Sequence, residues 1–332
     1  MNNKSKICLL HIGAPKTGST ALQKFLFSNK ELLSKSGWEY PDVNLRGFGH
    51  HDLAFLLGGG YPSWALPQDR SLEALINLLI DSVKGLNQIV ISSENFFLFP
   101  NPSKTSQVLE QSGFPHEFVK IVIYIRRQDE AIISYYNQMV KAQGYTGTIQ
   151  DYISESRDLW NYEIQLKLWG ETFGHENLIV KLYQEDELKR GDIRHDFLQL
   201  MQLPPDDFQW PQELTNTRIN RDILEFQRLV NKLPLSFPER RRFHRELIEL
   251  TSATSEMRLF NDCTVLDTTQ RKEILSYYTD SNIHVAEKYL GLNYLFNESM
   301  PAETLSKERF YKLDPEKIVY ILGWILARGE KV

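Results

Sequence analysis

Four short apolar runs along the chain predict buried β-strands. They are KICLLHI (6–12), QIVISS (88–93), VKIVIYI (119–125) and NLIVKLY (177–183). Each run is aliphatic or β-branched with little apolar–polar alternation, as is typical of strands covered on both faces. Apolar residues recur at helical spacing between these runs, over 20–35, 71–84, 129–142 and 158–173. Strands that alternate with helices predict an α/β fold with a central parallel sheet flanked by helices.

After about residue 212 the pattern changes to helices alone. Helical spacing continues over 217–232, 238–250, 269–290 and 314–328. We therefore expect one domain over residues 1–332, with an α/β core over about 1–212 and a helical C-terminal part over about 213–332. The last helix contains IVYILGWILA (318–327), which is shorter than the roughly 20 residues of a membrane span. We interpret it as packed on the body of the protein, with contact to a membrane surface or a partner as the alternative.

Between the first two predicted strands lies a glycine-rich stretch, GFGHHDLAFLLGGGYPSW (47–64). Its glycines and its short apolar centre predict a long loop with a short helix. Long loops of this kind often shape binding sites.

Composition and charge exclude several classes of function. The chain has 332 residues, of which 42% are hydrophobic and 24% charged, and its net charge is −5. No basic field argues for nucleic-acid binding. Two cysteines, Cys8 and Cys263, do not make a disulfide framework, and the apolar run near the N-terminus is shorter than the roughly 7 to 15 residues of a signal peptide. These features favour a cytoplasmic location.

The segment HIGAPKTGST (11–20) has the strand–loop–helix order of a phosphate-binding site. Backbone N–H groups of such a loop and of the following helix point at an anion, and Gly13 and Gly18 allow a tight turn. Lys16 adds a positive charge, but it precedes Gly18, whereas an NTP-binding loop has its lysine after the second glycine. The alternative is a tight turn whose polar residues are there by chance.

A second segment, IVIYIRRQDEAIISYYNQ (121–138), also predicts an anion site. Arg126 and Arg127 follow a buried strand, and Ser134 lies about two helical turns later. An arginine at a strand end can bind a phosphate with its guanidinium fork, and the serine can reach the same anion. The alternative is that the arginines pair with Asp129 or Glu130.

Together these segments resemble the PAPS-dependent sulfotransferases, and HIGAPKTGSTALQ is most similar to a bacterial branch of that family. The resemblance implies a P-loop-like, three-layer, single sulfotransferase-like domain that uses 3′-phosphoadenosine 5′-phosphosulfate (PAPS) as sulfate donor, releases 3′-phosphoadenosine 5′-phosphate (PAP) and needs no metal. It implies that PKTGST binds the 5′ end and that RRQDEAIISYY binds the 3′-phosphate. The 5′ residues are Lys16, Thr17, Gly18, Ser19 and Thr20, and the 3′ residues are Arg126 and Ser134. The family's usual Asn-Pro is Arg127-Gln128 here, which leaves Arg127 as the alternative to Arg126.

Sulfuryl transfer to a hydroxyl calls for a base, and Glu94 in QIVISSENFFLF is the candidate. It follows a strand, where ligands of parallel sheets bind, and the aromatic residues Phe96, Phe97 and Phe99 are expected to raise its pKa. Carbohydrate sulfotransferases that this chain resembles have a glutamate at this point. The resemblance therefore implies a carbohydrate or glycolipid acceptor, with Lys16 stabilising the leaving phosphate. The alternative is that Glu94 caps a helix or pairs with a lysine.

Weaker predictions concern the acceptor, the cofactor, a metal and the overall function. His50 or His51 is a candidate acceptor contact, and Asn216 and Arg218 are candidate contacts near the cofactor. The sequence shows no cluster with metal-ligand spacing. A P-loop kinase or NTPase, and a non-catalytic nucleotide- or glycan-binding protein, are the alternative functions.

Overall fold

A computed structural model of the protein describes residues 6–43, 45–211, 219–254, 260, 265–296 and 313–329. A four-stranded parallel sheet lies at its centre, with the strand order β2-β1-β3-β4. The strands are β1 Ile7–Gly13, β2 Gln88–Ser92, β3 Val119–Ile125 and β4 Leu178–Leu182. All four predicted strands and the α/β fold class are thereby confirmed.

The strands are apolar on both faces because both faces of the sheet are covered. Successive residues Cys8, Leu9 and Leu10 of β1 are at most 1% exposed although their side chains alternate between the faces. Leu9 belongs to a core cluster with Phe25 and Phe197, which lie on two of the flanking helices. A strand buried in this way cannot show the apolar–polar alternation of a half-exposed strand.

Helices connect and flank the strands. In chain order the helices are α1 Ser19–Ser28, α2 Lys30–Lys35, α3 His51–Leu57, α4 Leu72–Val83, α5 Asn95–Leu98, α6 Pro102–Gln111, α7 Gln128–Gln143, α8 Ile149–Glu155, α9 Tyr162–Phe173, α10 Ile193–Leu200, α11 Arg221–Val230, α12 Phe237–Ala253, α13 Thr268–Tyr277, α14 Thr279–Val285 and α15 Pro315–Gly329. A π-helical turn, Ala286–Leu290, follows α14. Every segment predicted as helical overlaps at least one of these helices, and α3 is the short helix expected within 47–64.

The predicted helix over 20–35 is divided into α1 and α2 at Asn29. The Asn29 side chain donates to the backbone oxygens of Phe25 and Gln209 and accepts from the Gln209 backbone N–H at 2.8 Å. These bonds hold Asn29 outside the helical conformation, and its φ is −107°. Periodicity alone does not reveal such a break because the apolar spacing continues across it.

The chain forms two compact units. The first comprises Met1–Arg127, Asp158–Glu213 and Tyr278–Asn297, and it contains the sheet. The second comprises Gln128–Arg157, Leu214–Tyr277 and Glu298–Val332, and its described residues are helices and loops. The chain passes from the first unit to the second after residue 213, next to the predicted boundary at about residue 212. The single domain over 1–332 stays a prediction.

Helix α15 occupies the position predicted for the last helix. Ile321 is completely buried, whereas Val319 and Leu326 are 70% and 71% exposed. The helix therefore packs along one side and exposes apolar side chains along another. Within the described residues, no helix combines the length and apolar character that crossing a bilayer requires.

Asn216, Arg218 and Cys263 lie outside the described residues.

Candidate active site

Three neighbouring strands end at one edge of the sheet, and a predicted site residue follows each of them. The 14–18 loop follows β1, Glu94 lies two residues after β2, and Arg126 comes directly after β3. The chain leaves β1 towards β2 on one side and returns to β3 on the other, so this edge is a topological switch point, where open α/β sheets bind ligands. Gly13 has a φ of +110°, and a Cβ there would lie 3.1 Å from the Glu94 Cβ. The lack of a side chain at Gly13 therefore lets the loop and Glu94 come together.

Internal hydrogen bonds hold the loop in shape. The Ala14 N–H donates to the Tyr124 backbone oxygen at 2.7 Å, and the Thr17 hydroxyl donates to the Ala14 oxygen at 2.6 Å. Lys16 and Gly18 both have the left-handed backbone conformation, with φ of 66° and 79°. The Thr17 hydroxyl is thus used within the loop, and only its backbone N–H is suited to a ligand.

The N-terminus of α1 offers donors for an anion. Gly18 is the N-cap, and the first N–H groups of a helix have no partner within that helix. The Ser19 side chain is 4% exposed, and its Oγ has no hydrogen-bond partner among the described residues. A buried hydroxyl in this state fits a phosphate oxygen at the helix N-terminus. The Thr20 residue is exposed to solvent.

Two cationic side chains lie at the loop. Arg126 approaches the Lys16 backbone oxygen with Nη1 at 3.5 Å, and its guanidinium lies 5.9 Å from the centre of the Tyr183 ring. Burial lowers the pKa of Lys16, repulsion from Arg126 lowers it further, and attraction to Glu94 acts in the opposite direction. An anion between these side chains would offset their repulsion.

Arg126 contacts the loop, and the choice between Arg126 and Arg127 for the 3′-phosphate stays a prediction. Arg127 is 6% exposed, whereas Arg126 is half-buried. The Tyr162 hydroxyl donates to the Arg126 backbone oxygen at 2.6 Å and thereby holds the end of β3. Ser134 is half-buried on α7 in the second unit, while Arg126 belongs to the first. Their joint binding of one 3′-phosphate stays a prediction.

Glu94 is held by hydrogen bonding and charge. Its Oε2 accepts from Gln23 Nε2 at 2.9 Å and lies 3.9 Å from His51 Nδ1, and the side chain is 22% exposed. Glu94 occupies the N-cap position of α5 without a side-chain capping bond, which excludes the capping role considered above. Burial acts to raise the pKa of Glu94, but His51, Gln23 and His11 outweigh it and the pKa is lowered overall.

The expected rise in the Glu94 pKa is therefore wrong. Phe96 and Phe97 are at most 2% exposed and pack into the core, against Trp169 and Trp160 respectively. Their rings turn away into the core instead of surrounding the carboxylate. At neutral pH Glu94 is an ionised carboxylate, the form that can accept a proton.

The two adjacent histidines have different surroundings. His50 is completely buried, its Nε2 bonds the Pro41 oxygen at 2.9 Å, and its Nδ1 accepts from the Ser92 N–H. Burial lowers its pKa to about 4. Both ring nitrogens of His50 are thus used within the fold, and neither is left for an acceptor. His51 lies beside Glu94 and bonds the Ser93 hydroxyl at 2.8 Å, so it is the histidine of the pair at the site.

Three residues at the site were not predicted. Gln23 bonds Glu94, Tyr183 lies against Gly18 and Arg126, and Gly49 lies against Gln23 and His51. Gln23 could have been noticed, because it is a polar residue between the apolar positions of α1 and lies one turn after Ser19. Tyr183 directly follows β4 and could have been expected at the same edge of the sheet, whereas Gly49 is brought to the site by tertiary packing and carries no comparable signal.

Metal ligands were not expected at this site. Among the described residues, no group of three or more histidine, cysteine, aspartate or glutamate side chains is arranged to hold a metal ion. The absence of a metal from the reaction stays a prediction.

The chain was compared with known proteins. No protein-family model matches it. An uncharacterized protein of Archaeoglobus fulgidus is 26% identical over 205 residues, which are 61% of this chain and about half (54%) of that protein. The crystal structure of a sulfotransferase from Alicyclobacillus acidocaldarius matches with a TM-score of 0.43 and 17% identity, over 74% of this chain and 96% of that chain. These similarities are too low to assign a family, so the function is argued from the site.

Proposed function

We propose that the protein is a PAPS-dependent sulfotransferase that transfers a sulfuryl group to a hydroxyl of a carbohydrate acceptor. The observation that carries this proposal is the position of Glu94 directly beside the 14–18 loop. Glu94 packs so closely against Gly13, the residue before the loop, that a Cβ at Gly13 would lie 3.1 Å from the Glu94 Cβ. A carboxylate next to an anion loop with a cationic lysine suits in-line attack of a hydroxyl on a phosphosulfate.

The donor, when bound, supplies the sulfuryl group. Ser19 Oγ and the first N–H groups of α1 are suited to hold its 5′-phosphate, since this hydroxyl is buried without a partner among the described residues. Arg126 lies close enough to the loop to bind the 3′-phosphate of the same molecule, with Ser134 as the proposed second contact. Lys16 would stabilise the negative charge that the leaving 5′-phosphate acquires.

Glu94 is the proposed general base. The acceptor's O–H bond breaks and its proton passes to the Glu94 carboxylate, while the acceptor oxygen forms a bond to sulfur. The bond between sulfur and the bridging phosphate oxygen breaks, and its electron pair stays on the phosphate. Glu94 is ionised at neutral pH, so its carboxylate can accept this proton.

The proposed acceptor class rests on Glu94 and on the histidine beside it. A carbohydrate or glycolipid hydroxyl is proposed from the glutamate at position 94, and His51 is the proposed acceptor contact because it lies 3.9 Å from Glu94 Oε2. A cytoplasmic location and the absence of a nucleic-acid partner are proposed from composition and charge. The exposed apolar side of α15 leaves contact with a membrane surface open to test.

Isothermal titration calorimetry with PAP and with ATP tests the donor. We expect micromolar binding of PAP, weaker binding of ATP, and a loss of PAP affinity in Arg126→Ala of at least about 10-fold, since a charge-assisted hydrogen bond is lost. Arg70→Ala, at an exposed arginine of the same unit, is the control. Tight ATP binding that Arg126→Ala leaves unchanged would contradict the proposal and favour a kinase or NTPase.

Transfer of radiolabelled sulfate from PAPS to a panel of mono- and disaccharides tests the reaction. Glu94→Gln is expected to bind PAP like the wild type and to lose turnover by roughly 10²–10⁴-fold, the usual contribution of a general base. Glu110→Gln, at an exposed carboxylate on α6, serves as the control. Normal turnover by Glu94→Gln would remove Glu94 as the base.

A further inference from the structure

The carboxylate of Glu94 is held on one side by a buried amide. Gln23 Nε2 donates to Glu94 Oε2 at 2.9 Å, and the Gln23 residue is 2% exposed. A hydrogen bond from a neutral amide to a carboxylate is short and directional, and it engages one of the two oxygens. The bond to Oε2 thereby restricts the rotation of the carboxylate.

Gln23 connects Glu94 to the phosphate loop. It lies four residues after Ser19 on α1, so both side chains lie on the same face of the helix, one turn apart. The helix whose N-terminus offers donors to an anion therefore also delivers the amide that bonds the carboxylate. A displacement of α1 would move both groups together.

The backbone at Gly49 keeps the amide in place. A Cβ added to Gly49 would lie 2.8 Å from Gln23 Cδ, 2.9 Å from Gln23 Oε1 and 2.8 Å from His51 Nε2. The Gly49 backbone thus covers both side chains that approach Glu94. Gln23 has little room to swing away, and its hydrogen bond fixes the orientation of the carboxylate.

Several titratable groups face Glu94 from the surrounding elements. They are His51 on α3, His11 on β1, Lys16 in the loop, and Tyr40. Burial lowers the pKa of His11 to about 4, so this histidine is neutral at pH 7. Gln23 is uncharged and does not titrate, so its amide remains a donor at every pH, and its bond to Glu94 is stronger when the carboxylate is ionised.

We propose that Gln23 is the positioning residue of the general base. Its amide orients Glu94 and fixes the distance of the carboxylate from the phosphate loop through α1. The proposal rests on the function proposed above in one respect only, namely that Glu94 is the base of sulfuryl transfer.

The test compares Gln23→Met, which keeps the length of the side chain and removes the donor, with Gln165→Met as the control. Gln165 is also a buried glutamine on a helix of the first unit, at 7% exposure. The first readout is the pKa of the Glu94 carboxyl, measured by NMR titration of protein labelled with ¹³C at glutamate carboxyls and assigned with Glu94→Gln. We expect a rise of about one pH unit in Gln23→Met and none in the control.

The second readout is the pH profile of kcat, with PAP affinity measured alongside. In Gln23→Met the acidic limb is expected to move to higher pH and the plateau kcat to fall about 10- to 100-fold, because a displaced base is less effective. PAP affinity is expected to stay within a factor of about two. A variant whose loop is unfolded or distorted would bind PAP more weakly, so this measurement distinguishes the two cases.

The outcomes separate this inference from the proposed function. An unchanged Glu94 pKa and an unchanged pH profile in Gln23→Met would overturn the positioning role even if the wild type transfers sulfate. A shifted Glu94 pKa in a protein without sulfuryl transfer would uphold the hydrogen bond and its electrostatic effect, and would overturn the general-base role on which the rest depends.

Discussion

Replacing Gly18 with alanine tests how closely the phosphate loop is packed. An added Cβ would lie 3.0 Å from Tyr183 Cε2 and 3.1 Å from Ile193 Cγ2, at a φ of +79°. The left-handed conformation costs an alanine about 1–2 kcal/mol, and overpacking typically costs another 1–3 kcal/mol, so we expect the free energy of unfolding to fall by about 2–5 kcal/mol. Because the Tyr183 ring also lies against Arg126, we expect PAP affinity to fall at least about 10-fold.

Gly85→Ala is a matched control for the backbone term. Gly85 has a φ of +78°, and no atom of the described residues lies within 4 Å of an added Cβ. Gly85→Ala should therefore lose only the roughly 1–2 kcal/mol of the left-handed conformation and should bind PAP normally. Urea denaturation gives the free energies of unfolding of both variants, and calorimetry gives their affinities for PAP.

The comparison has a clear negative result. If Gly18→Ala loses no more stability than Gly85→Ala and binds PAP like the wild type, then Tyr183 and Ile193 do not confine the loop. The loop would then be an ordinary strand–helix turn, as the alternative interpretation of the sequence holds.

Three further predictions concern the same unit. Gly49→Ala should displace the ends of Gln23 and His51 and lower kcat about 10- to 100-fold; a normal kcat would contradict this. Ser19→Ala should weaken PAP binding about 10-fold by calorimetry, since one hydrogen bond to a charged group is lost. The pKa of His50 falls from 6.5 to about 4 on folding, so between these values the unfolded chain binds a proton at His50 that the folded protein does not. The contribution of neutral His50 to the free energy of unfolding is therefore complete above pH 6.5 and is lost as the pH falls towards 4. In urea denaturation, the free energy of unfolding of His50→Gln should therefore fall by about 2 kcal/mol less than that of the wild type between pH 7 and pH 5. An equal fall in both proteins would refute this prediction.

The fold could be predicted largely because strands buried on both faces leave a simple pattern. Runs such as VKIVIYI (119–125) contain no alternation to interpret and end at clear turn or helix signals, and they match the observed strands. The break between α1 and α2 could not be predicted, because it depends on Asn29 bonding Gln209, 180 residues away. Local sequence carries no information about such a partner.

The site was predictable where its residues follow strands directly. Glu94 and Arg126 come from strand ends, and sheet topology then brings them to one edge whatever the loops do. The electrostatic state of Glu94 was not predictable in the same way. Its neighbours Phe96 and Phe97 along the chain turn into the core. Gln23, which is far away in sequence, donates a hydrogen bond to Glu94, His51 lies 3.9 Å from it, and both lower its pKa.

The position of β1 between β2 and β3 has a consequence for how the protein acquires activity. Strand β1 pairs with strands that lie about 80 and 110 residues later in the chain, because Cys8 lies opposite Ile89 and Val119. Such long-range parallel pairing is slow to form, since loop closure must precede the contacts that reward it. Binding of PAP should therefore appear late in refolding, together with the register of the sheet and after the helices. Recovery of ligand binding would thus time the docking of β3, which secondary structure measured by circular dichroism would not reveal.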